Sequence, residues 1–271
     1  RNAASLAADE KRVYAPAKEK AIAADADTGK IVATYATKYP PVRLVLLDKT
    51  LVVTSWEDRE PTKLKYEGES LWATWVPKTD NGTVEAFDAE SGKPKWSLPY
   101  PANQVLAADG TVYLISQKGN PPTERFVAAV DLKTGKERWR QTHTSFGEDP
   151  DLQLNCAGAG WVVIAKRRGK DKENTQDRRA IHVLAAADGK TLWSISPAGA
   201  TWTPVVDGLL WHGSKKYDPK TGEVKGSIGT GIPDQGCTPS SIIGASILSH
   251  SRGCGYVEIP PEGKGGAKGV Q

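Results

Sequence analysis

Histidine and cysteine are the side chains most able to carry acid–base, nucleophilic or metal chemistry, and this 271-residue chain has few of them. They are His143, His182, His212, His250, Cys156, Cys237 and Cys254. No Cys-x-x-Cys pair occurs, and no histidine stands near a cysteine at the spacing of metal ligands, which argues against a zinc site. The Gly-x-Ser-x-Gly, His-Glu-x-x-His and calcium-loop motifs are also absent. We therefore predict no catalytic and no metal-binding residues.

Cys237 and Cys254 are the cysteine pair that could form a bond. They flank a predicted strand pair near the C-terminus, where a disulfide is geometrically plausible. Two buried free thiols are the alternative. A secreted location would favour the bond, because disulfides persist in oxidising compartments.

Two tryptophans are candidates for a binding surface. Trp72 and Trp75 lie three residues apart within Leu71–Val76, a spacing that would place both on one side of a helical turn. They either pack down onto the sheet or form an aromatic platform for a sugar ring, a quinone or a partner chain. We favour the packing role.

A basic run that begins Lys166-Arg167-Arg168 is the second candidate for a binding surface. Acidic residues follow it at Asp171 and Glu173 and dilute its charge. We therefore predict a solvated loop tip, with contact to an anionic partner as the alternative.

The composition excludes some classes of partner. The net charge is only +4, from 36 Lys and Arg against 32 Asp and Glu, and the two signs are interspersed along the chain, so we expect no nucleic acid. No apolar run approaches the roughly 18 residues of a membrane span, so we predict no transmembrane segment. The chain starts at Arg1 and lacks Met, as expected of a processed secreted protein or of a piece of a longer one.

An internal repeat supplies the elements that must position these residues. Its first part is a hairpin of two apolar stretches around a tight turn, and Asp-Gly between alternating apolar residues is a strong cue for such a turn. The six copies of this first hairpin are 6–14, 44–53, 106–114, 156–163, 205–211 and 242–248.

The second part of the repeat is a hairpin whose turn reads Asp-x-x-Thr/Ser-Gly-Lys or close to it. Its glycine can adopt the positive φ of a tight turn, and its Asp can accept hydrogen bonds from the turn backbone. Four residues after the glycine stands Trp96, Trp139 or Trp193 in three of the five copies, with Ala33 and Gly226 in the others. A position that recurs from unit to unit cannot meet a single ligand, so we predict that these tryptophans pack one unit against the next.

The segments TVEAFDAESGKPKW, FVAAVDLKTGKERW and AIHVLAAADGKTLW resemble the pyrroloquinoline-quinone-type propeller repeat. The resemblance covers roughly residues 5–260. The chain also resembles uncharacterised secreted propeller proteins of planctomycete type. It implies an all-β fold, a β-propeller of four-stranded antiparallel blades. Quinoprotein dehydrogenases share this repeat with cofactor-free relatives, among them the lipoprotein of the outer-membrane barrel-assembly machinery. The repeat therefore specifies a blade and not an activity.

About six blades are visible in the sequence. We predict a propeller domain over 1–260 and a Gly/Lys-rich tail over 261–271, with a sixth blade that lacks a convincing fourth strand. The ring is expected to be six-bladed with a minimal closure, or open, or completed to seven or eight blades by another segment. A larger parent chain or complex would protect the edge that an incomplete ring exposes.

The three longest insertions, at 57–80, 117–125 and 166–179, are predicted between the second and third strands of their blades. They would share one face, and long loops on a rigid scaffold are where binding usually resides. We therefore predict a non-catalytic scaffold or binding module that is periplasmic or secreted and binds a protein or a glycan.

The alternative function is an enzyme with a pocket at the propeller axis, near residues such as His212, His250 and Arg252. It would be a quinone- or haem-dependent oxidoreductase or a carbohydrate-active enzyme. The quinoprotein dehydrogenases use a vicinal cysteine pair over the cofactor and a calcium-bound catalytic aspartate. This chain has no adjacent cysteines, so we predict no cofactor.

Overall fold

A computed structural model describes most of the chain. The described residues are 6–58, 62–66, 69–77, 80–119, 122–147, 151–168, 179–196, 203–213, 215–227, 241–243, 246–250, 254–258 and 269–270. The structure is all-β over these residues apart from one 3₁₀ turn at His143–Phe146. Within the same ranges there is no helix long and apolar enough to cross a membrane.

The described strands form six four-stranded antiparallel sheets, which are the blades of a propeller. The first three blades are made of Ala7–Ala8 (β1), Arg12–Pro16 (β2), Lys20–Asp25 (β3) and Ile31–Ala36 (β4); Pro41–Leu47 (β5), Thr50–Trp56 (β6), Gly82–Asp88 (β9) and Pro94–Leu98 (β10); and Ala102–Ala108 (β11), Thr111–Gly119 (β12), Pro122–Asp131 (β13) and Glu137–Thr142 (β14). A separate hairpin, Thr62–Tyr66 (β7) and Glu69–Val76 (β8), is inserted in the second blade.

The remaining blades repeat the same order. They are made of Asp151–Gly158 (β15), Trp161–Arg168 (β16), Ala180–Ala185 (β17) and Thr191–Ile195 (β18); Val205–Val206 (β19), Leu209–His212 (β20), Lys215–Tyr217 (β21) and Val224–Ser227 (β22); and Ser241–Ile243 (β23), Ser246–His250 (β24), Cys254–Glu258 (β25) and Gly269–Val270 (β26). The predicted fold class is confirmed.

The sixth blade has the fourth strand that the sequence pattern did not indicate. Gly269–Val270 pairs with Tyr256 and Val257 of β25, inside the segment predicted to be a tail. The signal was weak because two residues, one of them glycine, leave no hydrophobic alternation to detect.

Tight turns close the first hairpins as the Asp-Gly cue predicts. Asp109 and Gly110 both have positive φ, and so do Asp207 and Gly208. Two successive positive φ values belong to the type I′ turn, whose twist matches that of the flanking strands. In the second blade Asp48 and Lys49 adopt the same conformation without a glycine.

The alternating strand directions divide the loops between two faces of the propeller. We call the face with the turns between first and second strands and between third and fourth strands the turn face. The opposite face, with the connections between second and third strands and the links between blades, is the insertion face. The first strands β5, β11 and β15 of neighbouring blades contact one another, which places first strands at the inner edge and fourth strands at the outer edge.

The hydrophobic core lies between the blades. One cluster joins the second blade, through Val52 and Val84, to the third blade, through Val112 and Leu114. A second cluster joins the third blade to the fourth, and others join the first to the second and the fourth to the fifth. Each sheet is therefore apolar on both faces where it has a neighbour on each side.

Candidate interaction face and the blade interfaces behind it

An aromatic side chain on the outermost strand of one blade is fixed to the second hairpin turn of the next blade. The indole nitrogens of Trp96, Trp139 and Trp193 donate to backbone carbonyl oxygens of Leu132, Ala186 and Pro219 at 2.8, 2.8 and 2.9 Å. Each ring also covers the glycine of that turn, so closely that a Cβ on Gly135, Gly189 or Gly222 would lie 2.7 to 2.8 Å from the ring. The predicted packing of blade against blade is confirmed. We call each such contact a latch.

The first blade makes only the hydrogen-bonding part of the latch, with a tyrosine that the sequence analysis missed, and Gly92 in the next turn lies against the Thr34 carbonyl instead of a ring. Tyr35 lies two residues beyond Ala33, on the same side of strand β4, and its hydroxyl donates to the carbonyl oxygen of Ala89 at 2.5 Å. Ala89 holds the same place in its turn as Leu132 and Ala186 in theirs. The signal was present in the sequence, but at an offset of six residues from the turn glycine instead of four.

The aspartate of the turn motif organises the loop into which the next aromatic docks. Asp131 Oδ1 accepts hydrogen bonds from the backbone nitrogen and the hydroxyl of Thr134, and Asp131 Oδ2 pairs with Arg138 at 2.7 Å. The bonds from Arg138 and Thr134 hold the pKa of Asp131 well below its ordinary value. Asp25 and Asp88 accept the same pair of bonds in their own turns, and their pKa values are lowered as well.

At the inner edge, a side-chain amide joins the first strands of two blades. Gln104 Nε2 donates to the carbonyl oxygen of Leu152 at 3.0 Å, and Gln104 Oε1 accepts from the backbone nitrogen of Leu154 at 2.7 Å. One amide thus makes the two hydrogen bonds that a neighbouring strand would make. In the next pair of blades Asn155 Nδ2 donates to the hydroxyl of Thr203 at 3.0 Å.

A buried ion pair joins the third and fourth blades near the insertion face. Arg125 in β13 and Asp151 at the start of β15 lie 3.6 Å apart, and both side chains are almost fully buried. His143 Nδ1 lies 3.1 Å from the carbonyl oxygen of Arg125. The pair therefore bridges the two blades, and loss of either partner would leave the other charge buried and uncompensated.

Lys166 lies elsewhere than the sequence analysis predicted. It is an inner residue of β16, paired with Leu152 on one side and Ala180 on the other, and it exposes only 8% of its surface. The prediction of a solvated loop tip was wrong here because the strand continues through the basic run as far as Arg168. Arg167 is in the same strand.

The Lys166 ammonium lies against Gly147 and close to His182. Burial lowers the pKa of His182, and the Lys166 charge lowers it further. The His182 ring packs edge-on against Phe146, with the two ring centroids 5.4 Å apart. His182 is thus a half-buried residue between the third and fourth blades. His212, which the enzyme alternative placed near an axial pocket, is buried in β20.

Three consecutive blades are elongated towards the insertion face. The second blade carries the β7–β8 hairpin between its second and third strands, as predicted for 57–80. The third blade extends β12 and β13 as one long ladder, from Thr111 opposite Asp131 to Gly119 opposite Pro122, with a register shift between Lys118 and Gly119. The predicted insertion at 117–125 is therefore a longer hairpin and not a loop. The fourth blade extends β16 to Arg168, and 169–178 lie outside the described residues.

Trp72 and Trp75 lie in β8, so the predicted helical turn is wrong. Antiparallel pairing with β7 holds this segment extended, for example Trp75 opposite Lys63 and Val76 opposite Thr62. Residues three apart lie on the same face of a helix, but in a strand successive residues alternate between the two faces of the sheet. The role of Trp72 and Trp75 in binding, and that of Lys166, Arg167 and Arg168, stays a prediction.

Among the described residues, Cys156 is a free cysteine. Cys156 Sγ donates to the carbonyl oxygen of Thr203 at 3.3 Å, and burial raises the pKa of this thiol to about 12. Cys254 is in β25, but Cys237 lies outside the described residues, so the disulfide stays a prediction. His250 is in β24, and Arg252 also lies outside the described residues.

Two features of the quinoprotein dehydrogenase site are not found among the described residues. Among them there is no group of three His, Cys, Asp or Glu side chains that could hold a metal ion. Cys156 has no cysteine beside it in sequence, and its thiol is held between two blades. Gln104, Asn155 and the Arg125–Asp151 pair each bridge two neighbouring blades.

A family model described as outer membrane protein assembly factor BamB matches residues 123–224, which run from β13 to β22. A search of curated proteins finds no match. Among solved structures, BamB from Moraxella catarrhalis is 15% identical with a TM-score of 0.58, and the match covers 93% of this chain and 68% of that chain.

Two further structures have the same fold. Quinohemoprotein alcohol dehydrogenase ADHIIG from Pseudomonas putida HK5 is 16% identical with a TM-score of 0.50, over 87% of this chain and 42% of that chain. A chain of the mitotic checkpoint complex is 12% identical with a TM-score of 0.57, and the match covers 96% of this chain and 73% of that chain. At these identities the likeness shows the fold alone. Together with the six four-stranded sheets, it establishes that the chain has a β-propeller fold, and its residues 123–224 are similar to the BamB family model.

Proposed function

We propose that this propeller is a non-catalytic, extracytoplasmic binding module that presents its insertion face to a partner protein. The observation that carries the proposal is the elongation of three adjacent blades towards one face. The β7–β8 hairpin, the ends of β12 and β13, and the extended β16 belong to the second, third and fourth blades. Their neighbouring positions can form one continuous surface.

The way the blades are joined supports this role. The second, third and fourth blades are held to each other by the latches of Trp96 and Trp139 and by the Gln104 bridge. The buried Arg125–Asp151 pair fixes the link from the third to the fourth blade just beneath the elongated hairpins. A surface on a rigid support binds with a smaller loss of conformational entropy than a flexible one.

The exposed side chains near this surface suit a protein partner. Asp80, Lys118 and Glu124 are exposed and carry both signs of charge. Mixed charges are typical of the rim of a protein interface, whereas a nucleic-acid surface would be uniformly basic. The family match to an outer membrane protein assembly factor supports an extracytoplasmic assembly role of this kind.

Site-specific photocrosslinking in the native host tests this proposal. A photoreactive phenylalanine replaces Asp80, Lys118 or Glu124 on the insertion face, and matched variants replace Asp27, Lys133 or Lys220, which are exposed on the turn face. We expect the three insertion-face positions to capture the same protein, and the turn-face positions not to capture it. Equal capture from both faces, or capture of unrelated proteins from the second and third blades, would contradict the proposal.

An absorbance spectrum addresses the oxidoreductase alternative. Protein purified from the native host is expected to show only the near-ultraviolet band of its tryptophans and tyrosines. Quinone or haem absorbance that persists after gel filtration would overturn the non-catalytic assignment. A glycan array carried out on the same preparation would show whether the partner is a sugar.

A further inference from the structure

Lys166 carries a buried positive charge that no acidic group of the described chain neutralises. The residue exposes only 8% of its surface. Among the described residues its ammonium makes no hydrogen bond and no ion pair. A lysine is almost never buried without a partner, because an uncompensated charge inside a protein is costly. An anion bound beside Lys166 would offset that cost.

The Lys166 ammonium lies just beneath the insertion face. A Cβ built on Gly147 would be only 2.9 Å from Lys166 Nζ, so the missing side chain of this glycine leaves room for the ammonium. Gly147 is exposed, and it belongs to the link between the third and fourth blades. A small group that approaches this link from solvent therefore comes within reach of the charge.

A second polar group near Lys166 also lacks a partner. His182 Nε2 is buried, and it makes no hydrogen bond among the described residues. Burial lowers the pKa of His182, and the positive charge of Lys166 lowers it further, so the two side chains share one electrostatic environment. When the neutral ring carries its proton on Nε2, this nitrogen is a hydrogen-bond donor. An acceptor placed beside Lys166 would then meet two donors.

The junction of the third and fourth blades has an excess of positive charge at this end. Side chains alternate along a strand, so Arg125 shares the junction side of β13 with Val127, and Lys166 shares that of β16 with Ile164. Asp151 is the one acidic side chain buried with these two cations in the described part of the chain, and it lies 3.6 Å from Arg125. One further negative charge would balance the cluster. A carboxylate, which carries a single charge, therefore fits better than a doubly charged phosphate.

We propose that this end of the junction is a carboxylate-binding subsite, in which the Lys166 ammonium is the charged donor and His182 Nε2 is a neutral one. An ammonium and a carboxylate form a charge-assisted hydrogen bond, which is about twice as strong as a neutral one. The carboxylate has two possible sources: an Asp or Glu side chain of a protein bound to the insertion face, or a free small carboxylate. The first source rests on the proposed function, and the second is independent of it.

Titration with acetate tests the subsite on the purified natural protein. The imidazole resonances of isotopically labelled histidine are followed by NMR, and His182→Gln identifies the signal of His182. We expect sodium acetate, compared with sodium chloride at equal ionic strength, to raise the pKa of His182 in a saturable way, because a bound anion offsets the charge of Lys166. A response that does not saturate, or that chloride reproduces, would overturn the proposal.

Lys166→Met is the variant that tests the charged donor, and Lys133→Met is its matched control. Lys133 is an exposed lysine of the third blade on the turn face, so its loss removes the same charge away from the junction. We expect Lys166→Met to abolish the acetate response and Lys133→Met to keep it. Lys166→Met should not lower the midpoint of urea unfolding, because it removes a buried charge that has no partner. A lowered midpoint together with an intact acetate response would show that Lys166 has a structural role alone.

Photocrosslinking in the native host separates the two sources of the carboxylate. A photoreactive phenylalanine at Asp80 reports the capture of a partner from the second blade, away from the junction. If a side chain of that partner fills the subsite, Lys166→Met should lower the capture at least about tenfold, as when one member of a buried interfacial charge pair is removed. Unchanged capture together with an acetate response that depends on Lys166 assigns the subsite to a free small carboxylate. If Asp80 captures no protein in the wild type, the proposed function fails, while the acetate titration still decides the subsite.

Discussion

Trp139 Nε1 and the carbonyl oxygen of Ala186 lie 2.8 Å apart although 47 residues separate them in the chain. Through this bond the outermost strand of the third blade reaches the turn of the fourth, and the Trp139 ring covers Gly189 in the same turn. The ring is also packed against Tyr113 within its own blade. The contact therefore combines a hydrogen bond with hydrophobic packing, and it lies on the outermost strand of the blade.

Removing the Trp139 ring should strongly destabilise the junction of the third and fourth blades. We expect Trp139→Ala to lower the free energy of unfolding by about 3–5 kcal/mol, as for other buried large-to-small changes. Trp139→Phe keeps a ring but loses the donor to Ala186, so it should cost less. Urea unfolding followed by far-ultraviolet circular dichroism measures both. Equal losses in the two variants would mean that packing on Gly189 contributes nothing.

Alanine at two turn glycines should separate backbone strain from ring contact. Gly29 and Gly189 have φ of +69° and +74° in the same motif, but only Gly189 lies beneath a tryptophan. Gly29→Ala should cost about 1–2 kcal/mol, from the left-handed conformation alone. Gly189→Ala should cost about 1–3 kcal/mol more, because its Cβ must displace the Trp139 ring. The same denaturation experiment compares them, and equal costs would show that the ring moves aside freely.

Asp131 should make the propeller sensitive to acid. Its pKa is lowered first by the bond from Arg138 and then by Thr134, so the unfolded chain, in which this carboxyl titrates near 3.8, binds its proton more tightly. The stabilisation is fully present above about pH 5 and is lost as the pH falls through the lowered folded value. We expect the difference in unfolding free energy between wild type and Asp131→Asn to shrink as the pH falls from about 5 to about 2. Arg138→Met should flatten the wild-type dependence, and a constant difference at all pH values would contradict this.

The buried pair of Arg125 and Asp151 should tolerate joint replacement better than single replacement. Removing one partner leaves a buried charge uncompensated, so Arg125→Met or Asp151→Leu should each cost about 3–5 kcal/mol. The double variant Arg125→Met/Asp151→Leu leaves no such charge and should recover part of the loss. A double-mutant cycle from urea unfolding measures the coupling. Strictly additive losses would show that the two side chains act independently.

Cys156 should react slowly in the folded protein. Burial raises its pKa to about 12, and only the thiolate attacks an alkylating reagent. At about pH 8 we expect iodoacetamide to label Cys156 at least ~100-fold more slowly in the native protein than in urea. Peptide mapping without reduction would show in the same experiment whether Cys237 and Cys254 are joined. Rapid native labelling at Cys156 would contradict its place between the fourth and fifth blades.

The blade repeat could be predicted because its turns are defined by local chemistry. A glycine with positive φ and an aspartate that caps the turn backbone leave a fixed pattern of letters, and Trp139 follows at a fixed offset. Tyr35 was not predicted because it stands two residues beyond the position that tryptophan occupies in other blades. Its hydroxyl still reaches the equivalent carbonyl, but a pattern of fixed spacing does not include it.

The insertion face was harder to predict, because its structure depends on contacts that are distant in sequence. Lys166 lies in a central strand of its blade, and its side chain is buried where the ammonium packs against Gly147, in the link from the third blade. A run of basic residues gives no sign of that packing. The tryptophan spacing in β8 fits a helical turn as well as a strand, and only pairing with β7 selects the strand.

Every latch points in one direction, from an outer strand to a turn that lies later in the chain. On the ribosome, Tyr35 is made 54 residues before Ala89, and Trp96 is made 36 residues before Leu132. The aromatic side chain of a nascent blade therefore stays uncovered until the following turn has been synthesised. Folding of the emerging chain should advance blade by blade from the N-terminus, and a pause just before a turn would leave the aromatic side chain of the preceding blade exposed.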